Sequence, residues 1–166
     1  FTLLELVPKR GVDLEIQDTV YIGKGKRDQI YKVLGKLDYE NLTATSRIEL
    51  EYSIREIVNN NEEKFVDFFN TAGAISTRLH KLELIPGIGK KYMWEIVEAR
   101  KEKPFESFED ITTRIPSLNN PAEMIVNRVK QELDTTTAKK GKKKYYLFTP
   151  IPKTQKKHRN NRNQRK

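Results

Sequence analysis

Apolar positions recur along this chain with two periods. From residue 1 to 37 they come in short bursts rich in β-branched and aromatic residues, broken by Pro and Gly; from 43 to 133 they come three and four apart. The first regime predicts strands over 1–7, stopped by Pro8 and turned through Arg10-Gly11, then over 20–22, and then over 29–37, with Ile30, Lys32 and Leu34 on one face and Tyr31 and Val33 on the other. Residues 23–28, Gly-Lys-Gly-Lys-Arg-Asp, form a basic turn. Short strands between Gly-rich turns predict a small OB- or SH3-like β-barrel over 1–42. Three strands close poorly, so completion is expected from residues upstream of Phe1 or from the strand-like run Tyr145-Tyr146-Leu147-Phe148 within 144–149.

The second regime predicts helices. Thr43, Thr45 and Ser46 are cap candidates for a helix beginning near Arg47, with Leu50, Ile54, Ile57 and Val58 on one face and a stop at Asn59-Asn60-Asn61. Ile48, Leu50, Tyr52 and Ile54 also alternate, so a strand competes there. Glu62-Glu63-Lys64 opens a second helix that buries Phe65, Phe68 and Phe69 and closes at Gly73. These two helices make 43–75 a linking segment. Ser76 is expected to cap a helix carrying Leu79, Leu82 and Ile85 on one face. After Pro86-Gly87-Ile88-Gly89, a further helix shows Tyr92, Met93, Ile96, Val97 and Arg100 on one face. Pro104 stops it, Ser107 caps a helix running from Glu109 to Arg114, and residues 115–121 sit where a second turn falls before a last helix over 122–133.

The turn at 86–89 carries the chemistry. Pro86 disfavours helix at Ile85, and the two glycines free the backbone there. The helix that follows begins with unpaired amide N–H groups at its positive end, so a phosphate fits there, with Lys90 and Lys91 adding charge. The string Ile85-Pro86-Gly87-Ile88-Gly89-Lys90 resembles the hairpin of the helix-hairpin-helix motif. That resemblance implies phosphate contacts from the amides around Gly87, Gly89 and Lys91, and a monovalent cation on the carbonyls of Glu83, Ile85 and Ile88. With 115–121 as a second copy, residues 76–134 resemble a tandem helix-hairpin-helix domain gripping nucleic-acid backbone. The second copy departs from the pattern: Ser117 and Asn119 replace the glycines and no Lys follows, so it is read as mainly structural, with Asn119 and Asn120 as weak contacts.

Charge sharpens the picture. Residues 1–75 carry a net −3, 76–138 a net zero and 139–166 a net +12, giving the chain its +9. The attraction for phosphate is therefore concentrated at the turn and in the C-terminal stretch 135–166. There Lys139, Lys140, Lys142, Lys143 and Lys144 form a cluster before the expected short strand, and Lys156, Lys157, Arg159, Arg162 and Arg165 lie in an Asn/Gln-rich tail without apolar residues beyond 153. Lys24, Lys26 and Arg27 of the basic turn are further candidate contacts. No Cys is present, and His80 and His158 are the only histidines, which excludes a disulfide framework and argues against a zinc site. Phe1 at the head, rather than Met, points to residues upstream. No apolar run reaches the ~20 residues of a membrane helix and no signal peptide is visible, so a cytoplasmic protein is expected.

The whole arrangement is similar to an uncharacterised archaeal family that joins an OB-like N-terminal region to helix-hairpin-helix motifs and is thought of as nucleic-acid binding. The match runs over Phe-Val-Asp-Phe-Phe-Asn-Thr-Ala-Gly-Ala-Ile-Ser-Thr-Arg-Leu-His-Lys-Leu-Glu-Leu at 65–84 and through the turn to Pro104-Phe105. An enzyme is not expected. Asp110 stands where some helix-hairpin-helix glycosylases carry a catalytic Asp, but it fits a helix start better; Lys90 is a remote Schiff-base candidate; and Gly23-Lys24-Gly25-Lys26 lacks P-loop spacing. The expectation is an α+β, mostly helical chain with a small OB/SH3-like barrel, a tandem helix-hairpin-helix domain and a basic tail. It binds nucleic acid without sequence specificity, with structured RNA favoured by the tail and ribosome association as one setting. A DNA repair or replication accessory protein and a protein-interaction adaptor are the alternatives.

Overall fold

A computed structural model describes residues 1–134 and 144–151. Within them the fold is α+β, with five α-helices and two small two-stranded antiparallel sheets. β1 (Leu4–Pro8) pairs with β2 (Ile30–Lys36), with register shifts at Glu5/Leu6 and Val7/Pro8. Ile30 is the one residue of this pair that is fully buried. No barrel closes. Residues 20–22 form no strand, and Tyr21 and Ile22 face solvent. The run 145–148 forms no strand either, because a carboxylate takes its donors in place of a ladder: Glu132 accepts the N–H groups of Leu147, Phe148 and Thr149 at 2.6, 3.0 and 2.9 Å. The OB/SH3-like barrel expected over 1–42, with help from 144–149, is thus corrected to a bulged hairpin.

The helical part follows its caps. α1 (Ala44–Asn60) starts on Thr43, whose hydroxyl accepts the Ser46 N–H, so the helix begins three residues earlier than its apolar face indicates. α2 (Glu62–Thr71) buries Phe65, Val66 and Phe69, each worth about 1.5–3 kcal/mol when fully removed from water. Phe148 from the C-terminal segment joins them edge-on, its ring 5.6 Å from Phe65 and 4.9 Å from Phe68. The helix expected from Ser76 does not form. Its residues make β3 (Ala74–Ser76) and β4 (Leu79–His80), then a single 3-10 turn at Leu82–Leu84. Local side-chain bonds explain this. Ser76 Oγ accepts the Arg78 N–H and closes a turn, Glu83 accepts the His80 N–H at 2.7 Å, and His80 Nδ1 accepts the Leu82 N–H at 3.2 Å. A tandem pair of complete helix-hairpin-helix units is therefore not what 76–134 builds: of its two turns, the second alone has α-helices on both sides.

Three more helices close the core. α3 is Lys90–Glu102, α4 is Phe108–Arg114 capped by Ser107, and α5 is Pro121–Leu133. Asn70 clamps the connector before α4 by donating to the Phe105 carbonyl and accepting its N–H, at 2.9 and 2.8 Å. α5 lies against α1, joined at the surface by Arg55–Glu123 at 3.1 Å and by Lys130–Glu51. No described helix is long and apolar enough to cross a membrane.

Candidate nucleic-acid interface

The corner at 85–89 is anchored from within. Leu82, Ile85 and Ile88 are buried, so the chain must turn where Pro86 and Gly87 stand exposed to solvent or nearly so. The Ile88 N–H closes the turn on the Ile85 carbonyl at 3.1 Å. Gly87 has φ +90°, a region that penalises side chains, and a Cβ there would lie 3.2 Å from Met124 Cε. Gly89 is different. Its φ is −86°, and a Cβ added to it would meet nothing within 4 Å. Neither strain nor crowding explains a glycine at 89, and the space before it is open.

Gly89 is also the N-cap of α3, and no side chain caps that end. The first bond back to the corner runs from the Met93 N–H to the Gly89 carbonyl at 2.9 Å. The earlier amides of the turn, from Gly89 to Tyr92, are thus free of backbone acceptors among the described residues. Lys90 and Lys91 are exposed beside them; Lys91 reaches Glu95 only at 3.9 Å, and its side chain is 80% exposed. Trp94, the chain's one tryptophan, stands one turn further along α3 and is 58% exposed. Sequence reasoning passes over it, although its i, i+4 spacing from Lys90 is a signal that could have found it.

The second corner has the same frame and the opposite ending. Ile115 and Leu118 are buried like Ile85 and Ile88, and the Leu118 N–H bonds the Ile115 carbonyl at 2.9 Å. Here, however, Asn120 adopts a left-handed conformation and caps α5, its Oδ1 accepting the Glu123 N–H at 3.1 Å, while Pro121 removes an N–H outright. Ser117, in the place of Gly87, donates to Glu95 of α3 at 3.0 Å. The two corners therefore support each other. Met124 of α5 packs on the first corner, and Glu95 of α3 holds the second. Asn119 is exposed beside this capped end.

The other predicted residues fall as follows. Lys24 and Lys26 are exposed and Arg27 half-buried in the loop before β2, with Arg27 Nε donating to the Gly23 carbonyl at 3.0 Å. Lys144 turns inward: it donates to the Asp134 carbonyl at 2.8 Å, lies 5.5 Å from the Tyr146 ring, and burial lowers its pKa. Lys139, Lys140, Lys142, Lys143, Lys156, Lys157, Arg159, Arg162 and Arg165 lie outside the described residues. Of the backbone positions assigned to a monovalent cation, the Ile85 carbonyl already accepts one N–H, and the Glu83 side chain is engaged with His80. Among the described residues no group of three or more His, Asp or Glu is placed to hold a metal ion.

The chain is 49% identical over 148 residues to an uncharacterised protein of Methanocaldococcus jannaschii, covering 89% of this chain and 65% of that protein, so it spans a little under two thirds of the relative's length. A crystal structure of Af1531 from Archaeoglobus fulgidus superposes with a TM-score of 0.76 at 48% identity, over 84% of this chain and 77% of the other. Residues 1–150 match the model of DUF655, described as a protein of unknown function. The chain belongs to the DUF655 family, whose homologues include these archaeal proteins.

Proposed function

We propose that this protein binds nucleic-acid backbone without reading its sequence, with structured RNA as the favoured ligand and the open N-terminus of α3 as the phosphate site. The observation that carries the reading is the uncapped helix start at Gly89. Free amides, an open approach and two exposed lysines meet there, as the helix-hairpin-helix resemblance implies for a phosphate contact. The +12 net charge of residues 139–166 supports a polyanionic ligand. The capped second corner serves as a strut that fixes the first, through Met124 and Glu95.

Gly89→Asp tests this with opposite signs for two observables. Asp is a favourable N-cap, so the variant is expected to fold at least as stably as the parent. Its carboxylate occupies the phosphate position, so affinity for a labelled RNA hairpin is expected to fall about tenfold or more, the equivalent of one or two charge-assisted hydrogen bonds. Anisotropy titrations of both forms at several salt concentrations, with duplex DNA as competitor, read the result. Unchanged RNA affinity in a folded Gly89→Asp protein refutes the site. Preference for the DNA competitor moves the reading to a DNA accessory role.

A further inference from the structure

Residues 21–27, on the loop leading into β2, are more tightly built than a solvated turn requires. The Tyr21 ring folds back across Gly23: a Cβ at Gly23 would stand 2.1 Å from Tyr21 Oη and 2.3 Å from Cζ. The Gly25 N–H points at the same hydroxyl from 3.4 Å. Arg27 Nε donates to the Gly23 carbonyl at 3.0 Å, and Lys9 from β1's end donates to the Arg27 carbonyl. The loop is thus tied shut with the tyrosine ring against its backbone, while Tyr21 as a residue stays 59% exposed. Around it Lys24 and Lys26 are exposed. Among the described residues, Lys9, Lys24, Lys26 and Arg27 have no acidic side chain within ion-pair distance, although Asp28 follows directly in the chain.

A fixed, open aromatic ring beside unpaired cations has two recognition elements. The cations select a polyanion, and the ring selects one whose flat groups are free to stack. Duplex bases are stacked on each other and offer no face, whereas every unpaired base does. We propose that the 21–27 loop is a single-strand reader, stacking an unpaired base on Tyr21 and holding its flanking phosphates with Lys24 and Lys26. This rests on the nucleic-acid reading above and extends it to a separate surface, with unpaired nucleotides as the ligand.

The test uses the full chain, a labelled single-stranded oligouridine and a labelled RNA duplex. Tyr21→Ala is expected to weaken single-strand binding about tenfold, in the range of removing one base–aromatic stack, and to leave duplex binding unchanged. Tyr21→Phe keeps the ring and should bind as the parent does. Gly23→Ala displaces the ring without removing it, so it should lower single-strand affinity at an unchanged thermal midpoint. Lys24→Ala with Lys26→Ala should flatten the salt dependence on single strands by about 1.4 in log–log slope. Single-strand affinity within twofold of the parent for both Tyr21→Ala and Gly23→Ala overturns the proposal. Weaker binding by Tyr21→Ala with no effect of Gly89→Asp keeps this loop and removes the α3 site; a parent that binds neither probe removes both.

Discussion

Glu132 lies near the end of α5 with its carboxylate out of water, and donors converge on it from two directions. Arg128 Nε reaches it at 2.8 Å from one turn earlier, and the Leu147, Phe148 and Thr149 amides and the Thr149 hydroxyl reach it from the C-terminal segment. Arg128, 8% exposed, directs its remaining donors to the Leu84 carbonyl at 2.7 Å and to the Tyr145 carbonyl. Two side chains four residues apart thus join the turn before the Gly89 corner to the chain's last described segment. Each charge is tolerable in the core because the other is there and each guanidinium nitrogen of Arg128 has an acceptor. Glu132→Ala leaves a buried guanidinium without its counter-charge and three amides without acceptors. It is expected to cost about 3–5 kcal/mol in urea unfolding, and the Arg128→Met, Glu132→Leu double variant less than the two single changes added together. A cost under about 1 kcal/mol would show that this network contributes nothing of note to stability.

At the scale of elements, the turn at Leu82–Leu84 depends on a histidine that must stay neutral. His80 Nδ1 accepts the Leu82 N–H, which a protonated ring cannot do. Burial lowers its pKa below the ordinary 6.5, helped by Arg100 and Lys81 and opposed by Glu83. The unfolded chain therefore takes up this proton at a higher pH than the folded one does. The stabilising contribution is complete above pH 6.5 and is lost as pH falls below it, towards the folded pKa. Thermal unfolding across that window should show a smaller loss for His80→Asn than for the parent, and an imidazole NMR titration should place the midpoint under 6.5. The same element shows where sequence reading ends. Leu79, Leu82 and Ile85 are spaced as in a helix, but Ser76, His80 and Glu83 satisfy the backbone one bond at a time and hold strands and a 3-10 turn instead. α1, α2, α4 and α5 are legible because Thr43, Ser107 and the Phe65/Phe69 and Ile125/Val129 spacings act within one element. The 20–22 and 145–148 runs are not, because β-propensity is settled by the partner, and the partners are a loop backbone and Glu132. At the site, the Gly87–Lys91 string is legible, while the open face of Gly89, the self-capped Asn120 and the reciprocal use of Met124 and Glu95 exist only in three dimensions.

For the molecule as a whole, the C-terminal segment has two parts with different duties. Residues 144–149 complete the core: Phe148 packs edge-on against Phe65 and Phe68, and the neighbouring amides satisfy Glu132. The residues beyond Ile151 include Lys153, Lys156, Lys157, Arg159, Arg162, Arg165 and Lys166, so ending the chain at Ile151 takes the formal net charge from +9 to +2. A chain ending there should unfold at the parent's temperature and show a shallower salt dependence of RNA binding, by about 0.7 in slope for each phosphate that the tail would have neutralised. A chain ending at Leu133 should lose several kcal/mol or cooperative unfolding altogether, because an aromatic anchor and the acceptor's donors go together. Equal thermal midpoints for the two truncations would show that 144–149 is dispensable to the core.

The Arg128–Glu132 pair also sets a schedule for synthesis. A nascent chain that has emerged only as far as α5 has every described helix in hand, yet it would have to bury a carboxylate whose amide donors are still inside the ribosome. The completed helical core must then wait for the residues up to Thr149 to leave the ribosome, and the molecule acquires its native packing late, close to all at once, rather than helix by helix.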